Sequence, residues 1–166
     1  QVIAGDIGNS FLHGSCSEQV FVIAGPEFGE LQGKWMVVEK SLYGLKTSSS
    51  RFHEHLSAKL RSLGFHPSKV DFDFWMRECE DGHYEYIAVY VDDVIVFVRD
   101  AMAIMEDLKK TYILKGVSEP EFYLSGNVRE LDESWKTGDG VNTALSAETY
   151  IENVVAKFEG VFGGYF

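Results

Sequence analysis

Two apolar stretches, Tyr86-Ile87-Ala88-Val89 and Val94-Ile95-Val96-Phe97-Val98, are separated only by Tyr90-Val91-Asp92-Asp93. Runs this short, rich in β-branched residues and broken by polar ones, read as buried strands meeting at a hairpin tip. Any fold for this chain must therefore bury that hairpin while leaving two adjacent carboxylates at its tip. Side by side, the two charges repel each other, and nearby apolar strands deprive them of solvation. Positive charge is expected to meet them, and paired aspartate oxygens suit a hard divalent cation such as Mg²⁺. The plainer alternative is a solvated Asp-Asp turn, because Asp favours turns through local hydrogen bonding.

A third carboxylate bears on that choice. Val2-Ile3-Ala4 reads as a short strand, and Gly5-Asp6-Ile7-Gly8-Asn9-Ser10-Phe11 leads out of it. If this strand lies beside the hairpin, Asp6 reaches the same edge as Asp92 and Asp93. Three carboxylates there can hold two Mg²⁺ ions together with substrate phosphates, an arrangement used for in-line phosphoryl transfer. The alternative is three unrelated surface acids.

A chain of 166 residues is expected to form one domain, burying roughly 70% of the surface its unfolded form exposes. With 45% hydrophobic and 25% charged residues, the composition is that of an ordinary globular domain. No run of eighteen apolar residues is present, so no membrane span is expected. Gln1 carries no signal-peptide pattern, and a start inside a strand suggests a piece of a longer polyprotein. Cys16 and Cys79 show no metal-type spacing, and a reduced intracellular protein is the default reading. The net charge of −11 runs against nucleic-acid binding, which favours basic surfaces. Either the chain binds no nucleic acid, or it is the acidic part of a larger enzyme whose basic surfaces lie elsewhere. On the second reading the chain alone is expected to bind nucleic acid poorly.

The element order follows from periodicity and turn residues. Val20 to Ala24 and Trp35 to Val38 read as strands separated by a turn at Gly25-Pro26. Thr47-Ser48-Ser49-Ser50 offers hydroxyls for a helix N-cap. The helix that follows places Phe52, Leu56, Leu60 and Leu63 on one face and ends at Gly64. Within it His53 and His55 are two apart and face different sides, which argues against a zinc pair. Phe74-Trp75-Met76 opens a hairpin that turns at Glu80-Asp81-Gly82 and returns from His83 to Val91. Ala101 to Tyr112 reads as a helix with Ile104, Met105, Leu108 and Tyr112 on its apolar side. Gly126 to Arg129 and Val141 to Leu145 read as a hairpin around Asp132-Glu133. A last helix starts at Ser146 and presents Ile151, Val154, Val155 and Phe158, and Gly163 to Phe166 reads as a loose end. This order fits an α+β fold, an antiparallel sheet with packed helices.

From Asp6 to about Phe158 the chain resembles the reverse transcriptase of copia-type long-terminal-repeat retrotransposons. The resemblance rests on Asp6 with Phe11, Leu12 and Gly14, and on Ser41-Leu42-Tyr43-Gly44-Leu45-Lys46 with Arg51 and Phe52. It continues through Tyr90-Val91-Asp92-Asp93, then Leu114-Lys115-Gly116-Val117-Ser118-Glu119-Pro120 with Phe122-Tyr123-Leu124 and Gly126. It closes on Leu145-Ser146-Ala147-Glu148-Thr149-Tyr150-Ile151. The wording of Ile23 to Gly29 and of the Leu-Lys-Gly-Val stretch is similar to algal, especially diatom-like, elements.

The resemblance implies a palm segment, lacking most of the fingers and thumb, of an RNA-directed DNA polymerase that extends a primer 3′-hydroxyl. Asp6, Asp92 and Asp93 would hold two Mg²⁺ ions, with Mn²⁺ able to substitute. Phe11 would sit under the sugar of the incoming nucleotide, although core packing is the plain reading of any Phe. Tyr43, Gly44, Leu45 and Lys46 would form a wall beneath the templating base pair, with Arg51 close behind. Lys115 would be a loop lysine protonating the leaving pyrophosphate, or simply solvated. Tyr90 and Val91 would lie beside the primer end, Tyr90 alternatively being a core tyrosine, and Leu124 to Gly126 resembles the primer grip. Thr47 stands where the family commonly has Gln, Ser50 where it has Pro, and Ser125 interrupts the usual Phe-Leu-Gly. These departures favour the rival reading of an inactive or domesticated remnant acting as an interaction module. The implied partners are an RNA template, a DNA primer, deoxynucleoside triphosphates, and the integrase and RNase H of a Pol polyprotein, with no membrane. The implied location is intracellular, in a cytoplasmic virus-like particle or the nucleus.

Overall fold

A computed structural model describes residues 1–131 and 143–162. Alternating burial organises the larger of its sheets. Strands β1 (Val2–Gly8), β4 (His66–Pro67), β5 (Phe74–Glu78), β6 (Tyr84–Tyr90), β7 (Asp93–Phe97) and β8 (Ile113–Ser118) lie in the order β4-β5-β6-β7-β1-β8. Every neighbouring pair is antiparallel. Side chains alternate across a strand with period two. Ile3 and Ile7 on β1, Trp75 on β5, Ile87 and Val89 on β6, and Val94 and Val96 on β7 enter one core.

Two helices cover that face. In α1 (Ser48–Ser62), Phe52, Leu56 and Leu60 are buried at helical spacing. In α2 (Ala101–Lys109), Ile104, Met105 and Leu108 are buried, and Asp100 caps the helix by accepting from the Ala103 amide at 3.0 Å. The sequence reading carries this helix to Tyr112, but it ends three residues earlier. Tyr112 still joins the core, with its hydroxyl 2.8 Å from His55 Nδ1.

The cap of α1 differs from the expected one. Thr47 occupies the N-cap position but makes no side-chain cap bond of its own. Instead Glu18 Oε1 accepts from the Thr47 amide at 3.2 Å and from its hydroxyl at 2.8 Å. A carboxylate at a helix N-terminus is favoured by the exposed amides and the helix dipole.

A second sheet joins β9 (Phe122–Tyr123), β10 (Gly126–Glu130) and β11 (Thr143–Ser146), and a third pairs β2 (Phe21–Ile23) with β3 (Trp35–Val37). The β10–β11 pairing expected from the sequence is present, from Asn127–Ser146 to Glu130–Thr143. Its turn at Asp132-Glu133 and the chain end at Gly163 to Phe166 lie outside the described residues. The last helix, α3 (Glu148–Phe162), forms as expected, yet Ile151, Val154, Val155 and Phe158 all remain exposed. No described helix is long and apolar enough to cross a membrane. The architecture is α+β with antiparallel sheets.

The first motif has a packing reason for its small residue. A short 3-10 turn, Ser10–His13, ends against Gly14, which is buried on the first turn of α1. A Cβ at Gly14 would come within 2.9 Å of Arg51 Cβ and 3.1 Å of the Phe52 amide nitrogen. Backbone atoms of a packed helix cannot yield cheaply, so Gly14→Ala is expected to destabilise the chain by about 1–3 kcal/mol. Thermal unfolding of the variant checks this, and an unchanged melting temperature would show that the turn can move away from α1.

Candidate active site

Backbone register brings the three carboxylates together. On β1 and β7, Asp6 is the direct partner of Asp93, and Tyr90 pairs with Asp93 across the hairpin. Only Val91 and Asp92 remain in the turn. The Ile7 amide donates to the Asp92 carbonyl at 2.8 Å, which ties that turn to β1. Direct partners in an antiparallel pair project from the same face. Because Ile7 and Val94 point into the core, Asp6 and Asp93 point away from it. Val91 has φ of 56°, a left-handed conformation that a β-branched residue rarely adopts and that clusters at functional turns.

The site is short of positive charge. Among the described residues, no basic side chain lies within 4 Å of the Asp6, Asp92 or Asp93 carboxylates. Burial, and then the neighbouring charges of Asp92 and Asp6, push the Asp93 carboxyl above the usual carboxylate range. A cluster of this kind fits divalent cations, which would relieve the repulsion. The oxygens of the three are not all within 4.8 Å of one another; among the described residues only Cys79, His83 and Glu85 form such a group. The carboxylates are therefore not a closed cage. That suits Mg²⁺, which takes one or two carboxylates and completes its shell with water and substrate phosphate.

An elevated folded pKa has a definite sign for stability. Folding then favours the protonated acid, so the stabilising contribution is complete below the unfolded pKa and is lost as pH rises through the folded one. Asp93→Asn is thus expected to raise the melting temperature at pH 7 without divalent ions. The gain should shrink as pH falls through the raised folded-state pKa and be gone below the unfolded value of about 3.9. Each 1 kcal/mol corresponds to about 2–4 °C for a chain of this size. A variant that melts lower than wild type at pH 7 would contradict this electrostatic account.

Lys115 lies in strand β8 rather than in a loop, which corrects the sequence reading. Between Ala4–Ser118 and Asp6–Lys115, β8 uses one residue more than β1. Gly116, at φ of 58°, supplies this bulge. The extra residue hides the strand's period in the sequence. The bulge leaves Lys115 directly opposite Asp6, and its Nζ is 3.4 Å from where a Gly8 Cβ would stand. Asp6, Asp93, Lys115 and Leu124 line one open cleft of about 710 Å³. Its far wall is the β9–β10 hairpin, where Leu124 and Ser125 both take positive φ, 49° and 67°. Tyr123 reaches from that hairpin, its hydroxyl 3.5 Å from the carbonyls of Ala88 and Asp93. Burial, then the Asp93 and Asp73 charges, push its phenol up to about 12. The sequence reading did not single out Tyr123, although its place in the Phe-Tyr-Leu string was visible. Gly126 sits in close backbone contact, a Cβ there meeting the Tyr123 carbonyl oxygen at 3.2 Å.

The remaining residues form a second group. Phe11 and Tyr43 are in tilted ring contact, with centroids 4.5 Å apart and planes at 41°, and Phe11 also meets Phe52 edge-on at 6.3 Å. Tyr43 is exposed, Gly44 has φ of 95°, Leu45 is half-buried and Lys46 is exposed. A φ of that sign explains Gly at position 44. Arg51 pairs with Glu54 at 2.8 Å across the first turn of α1, while its Nε is buried without a partner. No hydrogen bond, ion pair or ring contact among the described residues joins this group to the cleft. They are linked through the chain from Asp6 to Phe11. Tyr90 is 59% exposed, which removes its reading as a core tyrosine, and Val91 beside it is exposed as well.

An antiparallel sheet carrying acids at a hairpin tip and on the adjoining strand is an arrangement suited to nucleotidyl transfer. Residues 1–161 match the family described as reverse transcriptase (RNA-dependent DNA polymerase), and the chain belongs to that family. It is 27% identical over 159 residues to the putative transposon Ty5-1 protein of Saccharomyces cerevisiae, covering 93% of this chain and 49% of that protein. It is 26% identical over 157 residues to the retrovirus-related Pol polyprotein from transposon RE1 of Arabidopsis thaliana, covering 92% of this chain and 10% of that one. A truncated transposon Ty1-A Gag-Pol polyprotein of Saccharomyces cerevisiae is 29% identical over 114 residues, 66% of this chain and 9% of that protein. The chain thus spans about half of the first relative and a small part of the polyproteins. No solved structure matches significantly. The chain is a reverse transcriptase domain of the retrotransposon Pol type.

Proposed function

We propose that this chain is the palm segment of an RNA-directed DNA polymerase, adding deoxynucleotides to a primer 3′-hydroxyl on an RNA template. The observation that carries the proposal is the pairing of Asp6 with Asp93 across β1 and β7, with Asp92 on the adjoining turn. Asp6, Asp92 and Asp93 would hold Mg²⁺, or Mn²⁺ in its place. Two such ions, when bound, supply a nucleophilic primer oxygen and neutralise the pyrophosphate that leaves.

The chain's own residues do the rest. Lys115, opposite Asp6 and on the same cleft, holds a proton on Nζ that it can deliver to the leaving pyrophosphate as a general acid. Phe11, packed against Tyr43 in a tilted ring contact, offers a ring edge against which a ribose 2′-hydroxyl clashes. Tyr43, Gly44, Leu45 and Lys46 support the templating pair, with Lys46 and Arg51 near backbone phosphate. Tyr90 and Val91 flank the primer end, and the Leu124–Gly126 turn grips it from across the cleft. The exposed apolar residues of α3 and of β2–β3 suit contacts with further Pol segments, and basic surface for nucleic acid would come from those segments. Extension of oligo(dT) on poly(rA) by the Pol polyprotein containing this chain tests the reading. It predicts dTTP incorporation that requires Mg²⁺ or Mn²⁺. A folded polyprotein with none, under any divalent ion, would leave the inactive-remnant reading standing.

A further inference from the structure

The hairpin that carries Asp92 and Asp93 has a second constellation at its opposite end. Across the Asp81-Gly82 turn, Cys79 Sγ, an imidazole nitrogen of His83 and a carboxylate oxygen of Glu85 all lie within 4.8 Å of one another. Ligands at ~2.0–2.3 Å from one tetrahedral zinc ion are separated by about 3.3–3.8 Å, so side-chain shifts on the order of 1 Å suffice to close around it. Three further features are those of a metal site. His83 Nδ1 is bonded to the Asp81 carboxylate, the support that fixes tautomer and ring orientation in metal-binding histidines. His83 Nε2 is buried and has no hydrogen-bond partner, which leaves its lone pair for a ligand. Glu85 is a buried carboxylate anchored by two Arg77 nitrogens at Oε2 and by the Arg99 amide at Oε1, and of the roughly four lone-pair sites of a carboxylate those three bonds leave about one for a ligand.

We propose that Cys79, His83 and Glu85 form a zinc site that clasps the β5–β6 turn. The mixed sulfur, nitrogen and oxygen set selects zinc over Mg²⁺, which takes oxygen ligands. Cys79 binds as thiolate, its S–H proton passing to solvent as the S–Zn bond forms. The fourth position is open to water: His83 and Glu85 both line an open cleft of about 670 Å³, which provides the entry path. Tyr84 to Tyr90 spans about 20 Å at ~3.3 Å per residue, so this site is distinct from the aspartates at the other end of β6. Its role is to hold the hairpin that presents them. The sequence signal is Cys79, three residues, His83, one residue, Glu85 around an Asp-Gly turn, visible only once the turn is known to be tight.

The test uses cobalt(II) as a spectroscopic stand-in for zinc on the tag-free chain. The chain has two cysteines, so a thiolate-to-cobalt charge-transfer band that survives Cys16→Ser must come from Cys79. The expected result is one such ion per chain, displaced by one zinc, with the band retained in Cys16→Ser and lost in Cys79→Ser. Asp81→Asn, a positioning change, should weaken affinity about 10–100-fold without abolishing the band. No band in the wild type, or its loss in Cys16→Ser, would overturn the proposal. Both results are read on chains whose proposed site is intact, so unfolding of the Cys79 variant cannot decide the matter.

Discussion

Replacing Asp92 by Asn in the Pol polyprotein is expected to lower primer extension by on the order of 10³-fold or more, about 4 kcal/mol of transition-state stabilisation. Asn keeps the volume and the turn but removes the charge that would bind a divalent cation. The same change removes one of three mutually repelling carboxylates, one of which already raises the Asp93 pKa. Stability without divalent ions should therefore hold or rise while activity collapses. That opposition separates a metal-binding role from a structural one, which would lower both together. Single-turnover extension measured beside thermal unfolding supplies the two readouts, and near-wild-type extension by a folded variant would remove Asp92 from the chemistry.

Phe11→Ala is expected to cut discrimination between deoxy- and ribonucleotides by about 100-fold, the scale on which an apolar wall rejects an added hydroxyl. Phe11 is half-buried, in tilted ring contact with the exposed Tyr43 and edge-on to Phe52. It is anchored from behind and open at the front, as a wall residue must be. Losing the ring also costs packing, so the variant should be less stable. The selectivity is read as the ratio of kcat/KM for dTTP to that for UTP, which a loss of active protein leaves unchanged. A ratio equal to wild type would assign Phe11 to packing alone.

Much of this site could be read from residue order because its signals are local. The strands around Tyr90 to Asp93, the Asp81-Gly82 hairpin and the apolar face of α1 each announce themselves within a few residues. What needed coordinates was long-range register. Nothing in Val2 to Ala4 says which strand it joins, so the pairing of Asp6 with Asp93 remained conditional. The resemblance places Lys115 in a loop, whereas pairing with β1 makes its segment a strand with a bulge at Gly116, a long-range register that the sequence alone does not carry. Local hydroxyls predict the cap of α1, whereas Glu18 supplies it from nearly thirty residues away. The approach of Tyr123 to Asp93 joins two sheets and leaves no trace in spacing. For α3, periodicity correctly gave a helix, but an apolar stripe alone cannot tell whether anything covers it.

The most direct measurement is a count of divalent ions held by the site when primer, template and nucleotide are present. Manganese(II), detected by electron paramagnetic resonance, can be titrated into the Pol polyprotein with a chain-terminated primer–template and the next dNTP, for wild type and Asp6→Asn. The account predicts two tightly held ions in the wild type and at least one fewer in the variant. The same number in both, with the same affinity, would contradict a shared cation site built from Asp6 and the hairpin acids.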